Sequence, residues 1–491
     1  MREAGILLPL SSLPSNHGVG DMGNYSFELI DLLKSGGFHI WQILPLNPLG
    51  YGNSPYQPYS SLAGDEIYIN LDELFQDGLL KNKAKKFRQN EQIVDYEKVR
   101  AFKEFYLKEA FCNFVPDQEY ESFAKQEWVS LYGVFLTLKK KNELKCWNEW
   151  EPNQKDWIKT KEFDVSIYEE DIRYEMFVQY VFFKQWMKIK AYANENGIRI
   201  MGDIPFYVGI DSLDVWMNQE CFLLGADGKP TFIAGVPPDY FSETGQRWGN
   251  PIYNWEYLRK QNYQFWLDRI EYNSKLFDII RIDHFRAFDT YWKIPATCET
   301  AIEGEWIEAP GYEVFDLISK KYPEVEIIAE DLGDLREEVH VLKNHYGLKG
   351  MKIVQFTFDP KENNNNFEDV KNMVIYTGSH DNQTIKGWYL SQDEKTRKAI
   401  RRSLKKSGYE DRVISKRFVR LTLDSIAEMA ILPAQDLINL GDEARINTPG
   451  TLGSPNWEWK LNSFKGLKKE IDYLKELMIA SDRVSQRYFR T

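Results

Sequence analysis

Residues 279–283 read I-I-R-I-D, an apolar run that ends on an acid. The pattern returns at residues 326–331, E-I-I-A-E-D. Similar short runs occupy residues 5–9, 40–45, 198–204, 352–358, 374–377 and 429–433. These eight runs are near-continuously apolar, as parallel strands buried on both faces must be. Helical patterns lie between them. Residues 24–34 are amphipathic and stopped by Gly36 and Gly37; residues 171–196 form a long pattern ended by Gly197; residues 258–276 form another. Strand and helix alternating in this way predict an α/β fold with a parallel sheet. Eight repeats predict that the sheet closes into a TIM (β/α)8 barrel. No G-x-G-x-x-G follows any run, which weighs against a dinucleotide site.

Two stretches exceed a minimal barrel. Residues 71–170 are charged, Lys-rich and helical in pattern. They read as a mainly helical subdomain inserted between strands two and three. Residues 208–256 are rich in Gly, Pro, Asp and aromatics, and read as a loop-rich insertion over the active site. The barrel itself then comprises residues 1–70, 171–207 and 257–491. Loops at the C-terminal ends of the strands build the site in enzymes of this architecture.

Three acids stand at such ends. Asp283 closes the fourth run, Glu330 the fifth, and Asp381 follows the seventh in Y-T-G-S-H-D-N. Crowded carboxylates raise one another's pKa, and an acid catalyst at neutral pH needs a raised pKa. Glycosidic chemistry uses this equipment: one carboxylate attacks the anomeric carbon and a protonated one serves the leaving oxygen. Arg281 precedes Asp283 by two residues, which on a strand places both on one face. It is expected to keep Asp283 ionised. The competing account is that these acids cap the following helices. Spacing leaves that open for Asp381, whereas Asp283 and Glu330 end apolar runs.

The bulk numbers narrow the field. The chain has 491 residues and a formal net charge of −12, which disfavours nucleic acid as a partner. Its aromatic content is 15%, which fits either a large core or rings laid flat on sugars. Cys112, Cys146, Cys221 and Cys298 are far apart and form no C-x-x-C pair, so neither a zinc cluster nor a disulfide framework is expected. The first ten residues are too soon broken by Pro9 for a signal peptide, and no apolar stretch is long enough to span a bilayer. A cytoplasmic protein without a membrane partner is expected. The six histidines show no ligand spacing, and Asp21, in a Gly-rich acidic loop, does not sit in an EF-hand pattern. No metal and no cofactor is expected.

Several motifs carry a resemblance: S-S-L-P-S-N-H-G-V-G-D at residues 11–21, G-Y-G-N-S-P-Y-Q at 50–57, G-D-I-P-F-Y-V at 202–208, and G-V-P-P-D-Y-F-S-E-T-G-Q-R-W-G-N-P at 235–251, beside the three acidic motifs. The chain resembles the 4-α-glucanotransferases of glycoside hydrolase family 77, in the α-amylase clan. The resemblance implies an enzyme acting on maltooligosaccharides and linear α-1,4-glucans. By resemblance, Asp283 is the nucleophile, Glu330 the acid/base and Asp381 the transition-state stabiliser. Asp203, Arg281 and His380 are implied partners of the sugar before the scissile bond. Tyr51, Tyr56 and Trp248 are implied sugar-contacting rings, although Tyr51 and Tyr56 also read as turn residues in a Gly/Pro-rich loop. Pro237, Pro238, Tyr240 and Phe241 are implied parts of a lid loop. The segment after Phe358 is short and Asn-rich at residues 362–366, a departure that leaves it without an implied role. An α-amylase-like hydrolase and a non-catalytic glucan-binding protein are the rival readings. Oligomeric state is not legible here.

Overall fold

Apolar runs of four to seven residues that alternate with helices have one economical solution, a sheet whose strands all point the same way. The computed structural model, which describes residues 2–87, 92–238, 242–358 and 370–484, has eight such strands. In chain order they are Glu3–Leu7, Ile40–Gln42, Arg199–Pro205, Ile279–Asp283, Glu326–Ala329, Gly350–Ile353, Met373–Tyr376 and Met429–Pro433. Each pairs in parallel with the next, and the eighth pairs with the first. Between the fifth and sixth the ladder thins to one parallel bridge, Ile328 to Lys349, with the Ala329 amide donating to the Lys349 carbonyl at 2.8 Å. The barrel is thus nearly closed. Its interior is a cluster that takes residues from every strand: Leu7, Ile40, Met201, Ile279, Ile328, Met351, Ile353, Val374, Tyr376, Met429 and Ile431. Filled in this way it is a packed core and not a pore.

The helices end where the sequence says they must. Helix Asn24–Gly36 stops because Gly37 turns left-handed, at φ 79°, and its amide returns to the carbonyls of Leu33 and Lys34. Helix Glu169–Glu195 opens on three acids that complement its positive end. Between the second and third barrel strands lie helices Leu71–Gln76, Tyr96–Asn113, Gln118–Ala124 and Glu127–Lys141. Asn70, Asp95 and Asp117 start the first three by accepting a backbone amide from the first turn. Helix Glu127–Lys141 packs along Glu169–Glu195. Asp21 is buried among partners here. Lys103 Nζ lies 3.3 Å away and Asn70 Nδ2 donates at 2.8 Å, so an internal cation serves this carboxylate.

Two sequence expectations need correction. Residues 352–358 do not continue as strand; the sixth strand ends at Ile353 and Val354–Thr357 is a helical turn. Residues 258–276 are not one helix. Trp255–Lys260 and Gln264–Leu276 are separated by Asn262 and Tyr263, both at positive φ. Neither break involves Gly or Pro, so no local signal marks it.

A second sheet stands apart from the barrel. It has four antiparallel strands in the order Gln246–Pro251, Phe232–Val236, Thr290–Pro295, Glu305–Glu308. It joins the chain after the third barrel strand to the chain after the fourth. Among the described residues no helix is long and apolar enough to cross a membrane.

Candidate active site

The third, fourth and fifth strands deliver their acids in register. Asp203 pairs with Arg281 across the third and fourth strands, and Ile282 pairs with Ala329 across the fourth and fifth. Asp283 and Glu330 therefore follow paired residues on neighbouring strands. Strand alternation does the aiming. A Cβ on Gly202 would meet the Phe277 ring at 2.2 Å, so that position faces the outer helices and its neighbour Asp203 faces inward.

Arg281 is buried at the centre. Its NH1 contacts both oxygens of Asp203 at 2.7 Å and Asp283 Oδ1 at 3.1 Å. Its Nε donates to Met351 Sδ at 3.3 Å. The cation is thus shared, and more of it goes to Asp203. Its charge favours the ionised form of Asp283, while burial opposes it. Burial pushes Asp283 up to about 6 over the opposing pull of Arg281, with Asp203 adding to the rise.

Glu330 is gripped by backbone. Its Oε2 accepts from the His284 amide at 2.9 Å and its Oε1 from the Leu332 amide at 3.1 Å. The first bond exists because His284 takes a left-handed conformation, φ 54°, directly after Asp283. Burial pushes Glu330 up to about 7. Arg281 and the two amides pull the other way, and Asp283 adds to the rise. Of the two carboxyls, Glu330 keeps its proton to higher pH.

Asp381 is more open, with 43% of its side chain exposed. Its Oδ1 accepts from Asn447 Nδ2 at 2.6 Å, and Arg445 NH2 donates to its carbonyl at 2.7 Å. His380 Nε2 lies 3.4 Å from Asp381 Oδ2 and 3.0 Å from the Tyr56 hydroxyl. That hydroxyl donates to Asp203 Oδ2 at 2.8 Å, and the Tyr56 and His380 rings stack at 5.3 Å. Tyr56, Asp203, Arg281, Asp283, His380 and Asp381 are therefore one connected network.

Trp248 meets the His284 ring edge-on at 4.9 Å, one residue from Asp283. Its carbonyl accepts from Gln57 Nε2 at 3.0 Å, which ties the second sheet to the loop bearing Tyr56. Tyr51 lies in the short turn Tyr51–Asn53 of that same loop. Pro237 and Pro238 follow strand Phe232–Val236, with Pro238 exposed. Tyr240, Phe241 and the Asn-rich residues 362–366 lie outside the described residues.

Sequence reasoning missed Asn447, Arg445 and Trp457. Trp457 tilts against both Tyr56 and His380, with ring centroids at 5.8 and 6.0 Å. All three sit in a Thr/Pro/Gly-rich stretch that reads as loop, and only the fold carries it beside Asp381.

A family model described as 4-alpha-glucanotransferase matches residues 8–466. A 4-alpha-glucanotransferase of Aquifex aeolicus is 42% identical over 97% of this chain and 99% of its own length. One from Thermus thermophilus is 41% identical over 94% of this chain and 95% of its own. A solved amylomaltase from Streptococcus agalactiae in complex with acarbose superposes with a TM-score of 0.93 and 34% identity, over 99% of this chain and 100% of that one. The whole acidic cluster lies inside the matched span, and the chain belongs to the 4-α-glucanotransferase family.

Proposed function

We propose that the protein transfers segments of α-1,4-glucan to the 4-hydroxyl of an acceptor glucose or glucan, by double displacement with retention. Asp283 attacks the anomeric carbon while Glu330 gives its proton to the departing O4. The donor's reducing-end portion leaves and a glycosyl ester remains on Asp283. The acceptor 4-hydroxyl then passes its proton to Glu330 and attacks the same carbon, which frees Asp283. The observation that carries this reading is the placement of two carboxyls at the ends of neighbouring strands, Asp283 with the buried Arg281 guanidinium 3.1 Å from its Oδ1 and Glu330 held by the His284 and Leu332 amides. A nucleophile must be ionised while its partner is protonated, and both groups titrate above the ordinary carboxylate range, as an acid working near neutral pH requires. Neighbouring strands about 4.8 Å apart also suit the roughly 5–5.5 Å carboxyl separation of retaining enzymes better than the wider inverting gap.

The other roles are those that the family resemblance implies. Asp203, Arg281 and His380 hold the donor sugar at the barrel mouth, and Asp381 grips hydroxyls as charge develops on the ring. Tyr51, Tyr56 and Trp248 supply ring faces. By that resemblance, Pro237, Pro238, Tyr240 and Phe241 belong to a loop whose role is to keep water from the glycosyl ester. In this reading residues 71–170 and 208–256 are insertions on a barrel of residues 1–70, 171–207 and 257–491. The substrates are maltooligosaccharides and linear α-1,4-glucans, met in the cytoplasm.

Maltotriose tests the reading. Transfer of the maltosyl unit gives glucose together with maltopentaose and longer chains, and the number of reducing ends stays constant. Hydrolysis gives glucose and maltose with a steady rise in reducing ends. A non-catalytic binder leaves maltotriose unchanged. Either of the last two results overturns the proposal.

A further inference from the structure

Two of the three acids at the barrel mouth are fixed by the strands they end. Asp283 is the last residue of the fourth strand, and Glu330 directly follows the fifth. Asp381 has no such support. The seventh strand stops at Tyr376, and Asp381 stands further on, in G-S-H-D-N-Q-T at residues 378–384, before helix Ile385–Ser391 begins. A polar loop that opens on Gly and Ser does not hold a side chain in place by itself.

The two roots of this loop meet on one buried acid. Asp436 lies in the helical turn Ala434–Leu437, after the eighth strand. Its Oδ2 accepts from the Thr377 hydroxyl at 2.6 Å, and its Oδ1 from the Ile385 amide at 2.8 Å. Thr377 and Ile385 flank the loop on either side, so a single rigid carboxylate spans its base. Asp436 is 1% exposed, and among the described residues no cation pairs with it. Burial pushes it up to about 6, against the pull of its two donors. A carboxylate kept in such a place costs stability, which marks a position retained for something other than folding. The chain that follows steadies the rest of the loop. Asp442 accepts from the Thr384 amide at 3.2 Å and from Gln383 Nε2. The Asn447 amide donates to the His380 carbonyl at 3.1 Å, beside its side-chain bond to Asp381. Gln435, next to Asp436, ties that chain back by donating to the Ala444 carbonyl at 3.1 Å.

We propose that Asp436 is the positioning residue for Asp381: by fixing Thr377 and Ile385 it sets where the Asp381 carboxylate meets the donor sugar. This rests on the transferase reading above, in which Asp381 grips hydroxyls as charge develops on the ring. A contact that strengthens only as charge develops affects kcat and leaves ground-state binding alone. His380 rides on the same loop but is braced separately by the Tyr56 hydroxyl and ring, so the binding side of the network survives a shift at Asp381.

The test uses the full-length enzyme with maltotriose, well below its melting temperature. Asp436→Leu keeps the volume and removes both acceptors. Its kcat is expected to fall about a hundredfold, as a misplacement near 1 Å does, with KM within about threefold of wild type. Asp436→Asn still accepts from the Ile385 amide and offers an N–H to the Thr377 oxygen, so kcat recovers to within about threefold. Thr377→Val removes one of the two bonds and lowers kcat about tenfold, and it carries the test if the Leu variant does not fold. Asp381→Asn is the control for the underlying reading. Full activity in that control overturns the reading of Asp381, and the positioning role falls with it. With the control inactive, an unchanged kcat in the Leu and Val variants overturns the positioning role alone. So does a loss carried by KM, or an Asn variant no better than Leu.

Discussion

The two ends of the barrel use the same residue types to opposite effect. At the N-terminal end, Arg199 bridges Glu3 on the first strand and Glu326 on the fifth, the latter at 2.6 Å. Lys349 adds contacts to Glu326 at 2.9 Å and Glu428 at 3.2 Å. Two cations serve three acids in this arc. Burial would raise Glu326, yet Arg199 and Lys349 hold it below the ordinary carboxylate range. At the C-terminal end, Arg281 is shared between Asp203 and Asp283, with Glu330 close enough to feel it. There burial wins, and Asp283 and Glu330 rise to about 6 and about 7. Burial pushes the acids up at both ends, and the number of cations per acid decides whether that push is offset, as at Glu326, or stands, as at Asp283 and Glu330.

The sharpest way to break this comparison is to remove one acid at the catalytic end. With Asp283 as the proposed nucleophile, Asp283→Asn cannot form the glycosyl ester, and transfer from maltotriose should fall on the order of 10⁴-fold or more, as for nucleophile knockouts in other enzymes. Glu330→Gln should fail with maltotriose and still release fluoride from a glycosyl fluoride, whose leaving group needs no proton. Equal use of both donors by that variant would remove Glu330 from the acid role.

The pH profile reads the same end without mutation. In the proposed roles, Asp283 acts ionised and Glu330 protonated, so kcat/KM should form a narrow bell. It should fall below about pH 6 as Asp283 takes a proton and above about pH 7 as Glu330 loses one. In Glu330→Gln with a glycosyl fluoride, the alkaline limb should vanish and the acid limb remain. An alkaline limb that persists in that variant would assign it to another group.

Stability should respond in the opposite sense to activity. Both carboxyls have folded pKa values above the unfolded values of about 3.9 and 4.3. The folded state therefore holds more protons between pH 4 and 7, and stability falls as pH rises through that window. Asp283→Asn and Glu330→Gln should each melt on the order of 2 °C above wild type at pH 8, with the gain gone near pH 4. Melting curves at the two pH values decide it, and a lower Tm at pH 8 would contradict the directions assigned here.

The parts of this contrast that sequence exposes are those written in local pattern. The eight strands are visible because burial on both faces demands apolar runs, and the acids because they interrupt such runs. The Asp203–Arg281 pair is a different case. Each residue is visible, but they lie 78 positions apart, and their register across two strands shares with Asp203 the guanidinium that spacing alone assigns to Asp283. The turn at Val354–Thr357 and the break at Asn262 and Tyr263 lack Gly or Pro signals, so tertiary packing decides them. Asn447 and Trp457 reach the site only because the chain after the eighth strand folds back over the mouth, which no periodicity reports.

The smallest expected effect is at the other end, and it sharpens the comparison most directly. Arg199 is the hinge of the N-terminal arc, yet its side chain is 34% exposed, so water already screens its pairs. Arg199→Ala should cost about 1 kcal/mol and lower Tm by about 1–2 °C. Because Arg199 helps to hold Glu326 below the ordinary range, the missing stability is present above the unfolded Glu pKa of about 4.3 and fades as pH falls through the folded value. The Tm difference from wild type should therefore be full at pH 7 and shrink below about pH 4, the reverse of the pattern at the catalytic end. Transfer kinetics should not move, because the barrel core of Leu7, Ile40, Met201 and Ile279 lies between the two ends. A change in kcat beyond about twofold in Arg199→Ala would mean that the ends are electrostatically coupled through that core.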